Sequence, residues 1–232
     1  MIKKSFANGK VHILITDKAF GHVPSGDKTM KSRIKKQGIS VNHVASMDQI
    51  HGAKLTEIEG DRCEPACDGL YTSRHHQLLY TKTADCCPVL LWNETTGMIA
   101  AIHAGWRGLL AGIIDSLENI RHGDHPIDMG EFKAFLGPHL RVENFEIQPD
   151  FIPQVPPDKH HLLESQRGKT HFNLTKAVIE ALQQHNMTNI EDCGIDTYTD
   201  PNYFSYRRWC QLPVEQRPTS YSTFANCIWM TE

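Results

Sequence analysis

From Val11 onward the chain alternates short apolar runs with polar breaks. Val11-His12-Ile13-Leu14-Ile15-Thr16 predicts a strand, as do residues 41–46, 78–83, 89–92 and 98–103, each too short for a buried helix. Asn93 to Gly97 predicts a turn. Lys28 to Gln37 is polar and predicts a helix ended by Gly38. From Gly108 to Arg121, apolar residues at 109, 110, 113, 114, 117 and 120 form one helical stripe. Asn173 predicts a cap for a helix from Leu174 to about His185, apolar at 174, 177, 178, 181 and 182. Further strands are expected at 132–136, at 203–207 and at 223–230, with 149–169 irregular around its prolines. Strands outnumber helices without strict alternation. A mixed α/β or α+β layered fold is therefore expected rather than a regular doubly wound one.

Composition narrows the function classes. A length of 232 residues suits one core, so a single domain spanning 1–232 is expected. The formal charge of −3 gives no electrostatic case for nucleic-acid binding. Lys31, Arg33, Lys35 and Lys36 read as a solvated helix face. Met1-Ile2-Lys3-Lys4 leads into Ser5 to Lys10, not into an apolar stretch, and no run approaches the ~20 residues of a membrane span. A cytoplasmic location without membrane partners is expected. Seven cysteines, an odd number, then read as free thiols or metal ligands.

The chemistry concentrates at His103-Ala104-Gly105-Trp106-Arg107-Gly108, read as strand end, tight turn and helix start. Such a junction favours anions through backbone N–H groups and the helix dipole, and Arg107 adds a planar charged fork. His51, Cys86 and His103 each offer a zinc ligand, and three ligands with an open position suit a catalytic zinc. The alternative is that these histidines are structural. If Cys86 and Cys87 start a strand, only one of them faces this site. Asp85 reads equally as a partner for a ligating His or as a turn residue. A competing metal reading joins the C-x3-C pair Cys63 and Cys67 to Cys86 and Cys87, although adjacent strand residues chelate poorly. Cys193, Cys210 and Cys227 read as core; His75-His76, His122 with His125, and His160-His161 read as solvated.

In order along the chain stand Gln49-x-His51-Gly52, Asp68-Gly69-Leu70-x-Thr72, Thr83-Ala84-Asp85-Cys86-x-Pro88, the 103–108 hexapeptide, Gly137-Pro138 and Phe204-Ser205-Tyr206-Arg207-Arg208. This series resembles the bacterial laccase-domain family, also called multi-copper polyphenol oxidoreductase or the YfiH type, over residues 49–208. The resemblance implies a layered α/β/β/α fold similar to the cysteine hydrolase cytotoxic necrotising factor. It implies one zinc held by His51, Cys86 and His103. It also implies phosphorolysis of adenosine, inosine and 5′-methylthioadenosine, with deamination of adenosine. Some members are credited with an amidase that edits peptidoglycan precursors, and some with laccase-like oxidation. Two positions depart from the family pattern: Asp196 replaces a Cys before Thr197-Tyr198, and Gln216 replaces a Gly before Arg217.

Four function classes follow. A zinc-dependent purine nucleoside phosphorylase would use Cys86, His103 and Arg107 at the reaction centre. Asp85, Gly105, Arg207 and Arg208 would be secondary substrate or anion contacts, with nucleoside and phosphate as partners. His139 and Tyr206 are weak candidates for the proton donor to the base. A cysteine hydrolase would use Cys86 as nucleophile and His103 as base. A copper laccase needs many clustered histidines, so copper is the less favoured metal. A zinc-stabilised binding domain would need a fourth ligand, and none is apparent.

Overall fold

The computed structural model describes the chain except residues 25, 27, 123 and 124 and the side chains of 122–126, so the expected exposure of His122 and His125 lies outside the described residues. Two six-stranded sheets carry the architecture. The first runs, edge to edge, Ile2–Phe6, Val11–Ile15, Phe224–Met230, Gln77–Thr83, His43–Met47, Arg62–Glu64. The second runs Ile190–Asp192, Lys133–Leu136, Cys87–Asn93, Met98–Ala104, Gly69–Thr72, Leu55–Glu57. Antiparallel pairs dominate both, with parallel pairs towards the edges.

Side-chain alternation along the strands sorts the core into layers. Ile13, Leu79 and Ile228 of the first sheet pack on Leu90, Trp92, Ile99 and Ala101 of the second. The intervening residues Leu14, Leu78, Tyr80 and Cys227 face outward and bury Met30 and Ile34 of the helix Met30–Lys35. On the other outer face, Val89, Leu91, Ala100 and Ile102 pack against Leu109, Ile113, Val178 and Leu182. Each fully buried aliphatic side chain contributes about 1.5–3 kcal/mol. The result is the layered α/β/β/α arrangement expected.

Two predicted elements differ. The stripe after Gly108 does not form one helix. An α-helix covers only Trp106–Leu110; Gly112 then turns the chain at φ +90°, and a 3-10 segment follows at Asp115–Asn119. Leu109, Ile113, Ile114, Leu117 and Ile120 are nonetheless all buried, so the periodicity marked the buried side rather than a continuous helix. The expected strand at 203–207 does not form: Ser205 Oγ accepts the Arg208 N–H and caps a helix, Tyr206–Gln211. The stretch 149–169 holds 3-10 turns and half of a hairpin, Leu163–Gln166 with Lys169–Phe172. Arg167 and Gly168 both take positive φ at its tip, as a two-residue hairpin turn requires.

Candidate metal centre

The chain crosses from the first sheet to the second through residues 84–86, between Thr83 and Cys87. Cys87 pairs in register with Ala104, and Pro88 with His103. Cys87 belongs to the alternate set with Val89 and Leu91, packed on the helix side. His103 belongs with Ile99 and Ala101, on the face between the sheets. Cys86, half-buried just before the strand, meets His103 at the open end of that layer, while Cys87 is fully enclosed.

The third member comes from a loop held at three points. Beyond the last strand pair of Ala45 with Leu79, the Gln49 side chain takes the place of a neighbouring strand. Its Oε1 accepts the Lys82 N–H at 2.8 Å and its Nε2 donates to the Lys82 carbonyl at 2.8 Å. Asp68, wholly buried, then collects the loop's N–H groups: Ile50 at 3.2 Å, His51 at 2.9 Å and Gly52 at 2.7 Å. This cage holds His51 at φ +60°, a left-handed conformation costly for any residue but glycine. Finally Gly52 lies under Gly108, where an added Cβ would sit 2.6 Å from the Gly52 carbonyl oxygen. Gly105 is under a similar constraint: a Cβ there would lie 2.8 Å from the His51 ring and 3.0 Å from Cys86 Sγ. The two glycines of the hexapeptide thus permit contact with the ligand loop.

One donor atom each from His51, Cys86 and His103 falls within 4.8 Å of the others. Cys86 Sγ lies 3.7 Å from His51 Nε2, and the two imidazoles meet edge to face with centroids 4.7 Å apart. Asp68 Oδ1 also accepts the His103 Nδ1 proton at 2.8 Å, which leaves Nε2 free to ligate. Burial opposes ionisation of Cys86, but His103 and His51 outweigh it and bring the thiol from 9.0 down to about 6. Burial likewise opposes the charge on His103, but the Cys86 thiolate and Asp68 hold its pKa up at about 9. Cys87 goes the other way, pushed well up by burial and by Asp192. Adjacent thiols thus differ: one is drawn towards the thiolate and could serve as a ligand, the other is a core residue.

The sequence profile of the family described as multi-copper polyphenol oxidoreductase laccase matches residues 26–231. The chain belongs to this family. Among its relatives, a purine nucleoside phosphorylase of Campylobacter jejuni is 29% identical over 163 residues, 70% of each chain. A purine nucleoside phosphorylase of Rickettsia conorii is 26% identical over 87% of this chain and 90% of its own. In three dimensions a Neisseria meningitidis protein, NMB0706, superimposes with a TM-score of 0.78 at 22% identity, covering 100% of this chain and 99% of that one. The YlmD protein of Geobacillus stearothermophilus gives 0.74 at 19% identity, over 96% and 92% of the two chains. These likenesses establish the laccase-family fold.

Within that fold several sequence expectations change. Of the two readings of Asp85, the structure has the turn residue rather than the partner of a histidine. Asp85 is buried at φ +96° and accepts the Thr197 hydroxyl at 2.6 Å and the Arg207 N–H at 2.5 Å, tying the turn before Cys86 to the Ser-Tyr-Arg-Arg segment. The residue that orients His103 is Asp68. Asp68 belongs to the Asp68-Gly69-Leu70-x-Thr72 motif, and only the fold reveals its role. Arg208 is no anion contact: its guanidinium donates to the carbonyls of Thr197, Tyr198 and Tyr203. His139 is fully buried between the Gly137 carbonyl and Thr175 Oγ1, and burial lowers its pKa to about 4, so it serves the core rather than a leaving base. The C-x3-C reading also fails. Cys63 is exposed and Cys67 buried, and among the described residues only His51, Cys86 and His103 form a group that could hold a metal ion. Cys193 and Cys210 are half-buried rather than core; Cys227 is core. His75, His160 and His161 are exposed, as expected, while His76 is half-buried.

Arg107 and Arg207 fare differently. The helix after Gly105 has five residues, too short for a strong dipole, so the anion-binding capacity rests on the guanidiniums. Arg107 is exposed and lies over the Trp106 ring at 4.3 Å. Trp106 packs on Phe151 at 4.4 Å, Phe151 meets Phe145, and Arg207 lies over Phe145 at 5.9 Å. One aromatic cluster therefore carries both cations. Asp196, one of the two departures from the family pattern, accepts from Asn144 Nδ2 at 2.6 Å and from the Tyr198 N–H at 2.8 Å, bonds a thiol would make poorly. Arg217, beside the other, lies over Trp209 and donates to the Cys210 and Leu212 carbonyls.

Proposed function

We propose that this protein is a zinc-dependent purine nucleoside phosphorylase acting on adenosine, inosine and 5′-methylthioadenosine, with adenosine deamination at the same centre. The observation that carries the reading is the convergence of two imidazoles and a thiolate on one point, with Arg107 four residues after His103 in the chain. The names of the curated relatives support the reaction class. The donor set fits zinc: two nitrogens, one ionised sulfur, and an Asp68 bond that fixes which His103 nitrogen ligates. Zinc held by His51, Cys86 and His103 supplies a Lewis acid with an open position.

The chain's own groups do the rest. Arg107 and Arg207 hold phosphate against the site, the planar fork of Arg107 matching two of its oxygens. In the reaction a phosphate oxygen forms a bond to ribose C1′ while the C1′–N9 bond breaks. The bonding pair leaves on the purine, and the proton that hydrogen phosphate gives up on becoming a phosphate ester neutralises it. Arg207 is already anchored, its Nη2 donating to the Glu146 carbonyl at 2.8 Å, so it costs little further ordering. Chelation tests the metal requirement: stripping zinc should stop phosphate-dependent release of adenine from adenosine, and restoring zinc should recover it.

A second reading has a specific observation behind it. The ionised Cys86 beside a protonated His103 is the charge state of a cysteine hydrolase. That mechanism makes the reverse demand, since a thiolate on zinc is a poor nucleophile. Chelation that raises amide hydrolysis, without phosphate-dependent adenine release, selects it. The phosphate role of Arg107 has its own test. Arg107→Lys should raise the phosphate KM about tenfold, the scale of one charge-assisted hydrogen bond, and leave the deamination rate within about twofold. An equal fall in both activities, together with the melting temperature, assigns Arg107 to holding the turn instead.

A further inference from the structure

Among the described residues five large hydrophobic side chains are exposed: Met1, Ile50, Tyr206, Val214 and Tyr221. Three of them are linked to the segments that carry the metal centre. Ile50, 59% exposed, precedes His51. Tyr206, 46% exposed, sits between Ser205 and Arg207, and the Arg207 N–H is fixed to Asp85, next to Cys86. Tyr221, 41% exposed, meets the Tyr206 ring edge to face at 5.0 Å.

These rings form a prepared surface rather than scattered exposure. Tyr206 stacks on Trp209 with centroids 5.6 Å apart and 22° between planes. Trp209 is fixed from behind: its Nε1 donates to the Pro218 carbonyl at 3.2 Å, and Arg217 lies over its ring at 4.9 Å. Tyr221 closes the corner at 72° to Tyr206. Arg107 and Arg207 hang on a separate aromatic cluster, so the two cations and the Tyr206–Trp209–Tyr221 rings belong to different parts of the surface. A nucleoside has the matching halves: the sugar carbon that meets phosphate, and a flat heteroaromatic ring. Aromatic side chains take such rings on their faces whatever the base.

We propose that Tyr206, backed by Trp209 and walled by Tyr221, is the stacking surface for the purine ring of the substrate. The assignment rests on the phosphorylase reading above and adds the residues that recognise the base. Stacking without base-edge hydrogen bonds accounts for one site accepting adenine and hypoxanthine alike.

The test uses the full-length zinc-loaded protein with adenosine and inorganic phosphate. Tyr206→Ala should raise the adenosine KM about tenfold or more, the scale of losing one base-stacking ring, with zinc content and phosphate KM unchanged. Tyr206→Phe should recover most of that loss, because the ring face rather than the hydroxyl does the binding. Tyr221→Ala, at an equally exposed position, should move the adenosine KM in the same direction. An unchanged adenosine KM in Tyr206→Ala overturns the proposal while leaving the phosphorylase reading intact. So does a Tyr206→Phe variant as impaired in kcat as the alanine, which makes the hydroxyl the working group. An unchanged KM with conversion of a dimer to a monomer overturns it in favour of self-association. If the wild type turns over no nucleoside, calorimetry with adenosine separates the two ideas. Binding lost in Tyr206→Ala keeps the stacking surface and removes the reaction, whereas no binding to the wild type removes both.

Discussion

Cys86→Ala should yield a folded protein that holds no zinc and turns over no adenosine, while Cys87→Ala should keep both and lose only stability. The two positions are adjacent and chemically identical, which makes the contrast sharp. Cys86 stands before the strand, half-buried, its thiol drawn down to about 6 by His103 and His51 against the effect of burial. Cys87 is the first residue of Cys87–Asn93, enclosed with Val89 and Leu91 against the helices. Removing a zinc ligand should cost more than the 10–100-fold typical of a residue that only orients one. Removing the Cys87 sulfur leaves a cavity of one heavy atom, on the order of 1 kcal/mol. Zinc content by elemental analysis, adenine release and thermal melting read all three quantities. Equal zinc loss in both variants would show that the strand faces are reversed.

Asp68→Asn should be the most damaging substitution outside the three ligands. One carboxylate accepts from Ile50, His51, Gly52 and His103 Nδ1, with no exposure to water. Ionisation is maintained despite burial, because the His103 and backbone bonds lower its pKa. An amide presents one NH2 group where only acceptors serve, so at least one buried donor is left unsatisfied at about 1–3 kcal/mol. The left-handed His51 then loses the bonds that hold it, and His103 loses the partner that fixes its tautomer. Zinc affinity should fall by about 10–100-fold, and the melting temperature should fall with it. A variant with wild-type affinity but a lower melting temperature would confine Asp68 to a structural role.

The parts of the molecule legible in the sequence are those where one local rule decides. The central strands from 77 to 104 are nearly continuous apolar runs because both their faces are buried, and they appear within one or two residues of expectation. Asn173 caps its helix as its type predicts, accepting the Lys176 N–H at 2.9 Å. The edge strands Leu55–Glu57, Arg62–Glu64 and Ile190–Asp192 are three residues long and take their shape from a neighbour, so no pattern within them announces a strand. The ligand triad could be nominated from residue types and from resemblance. Its support could not, because Asp68 acts across 35 residues on His103 and Thr197 acts across 112 residues on Asp85. Ser205 was readable in principle as an N-cap, yet the apolar and aromatic residues around it favoured the strand reading.

The crossing between the sheets has a consequence for folding. The three candidate ligands lie on a loop fixed to the first sheet, on the passage between sheets, and on a strand of the second, with Asp68 joining loop to strand. No fragment containing only one sheet presents the set. An ion bound there is therefore a ligand of the native state alone. Each tenfold rise in free zinc above its Kd would deepen the native basin by about 1.4 kcal/mol, a latch whose strength is set by the metal supply.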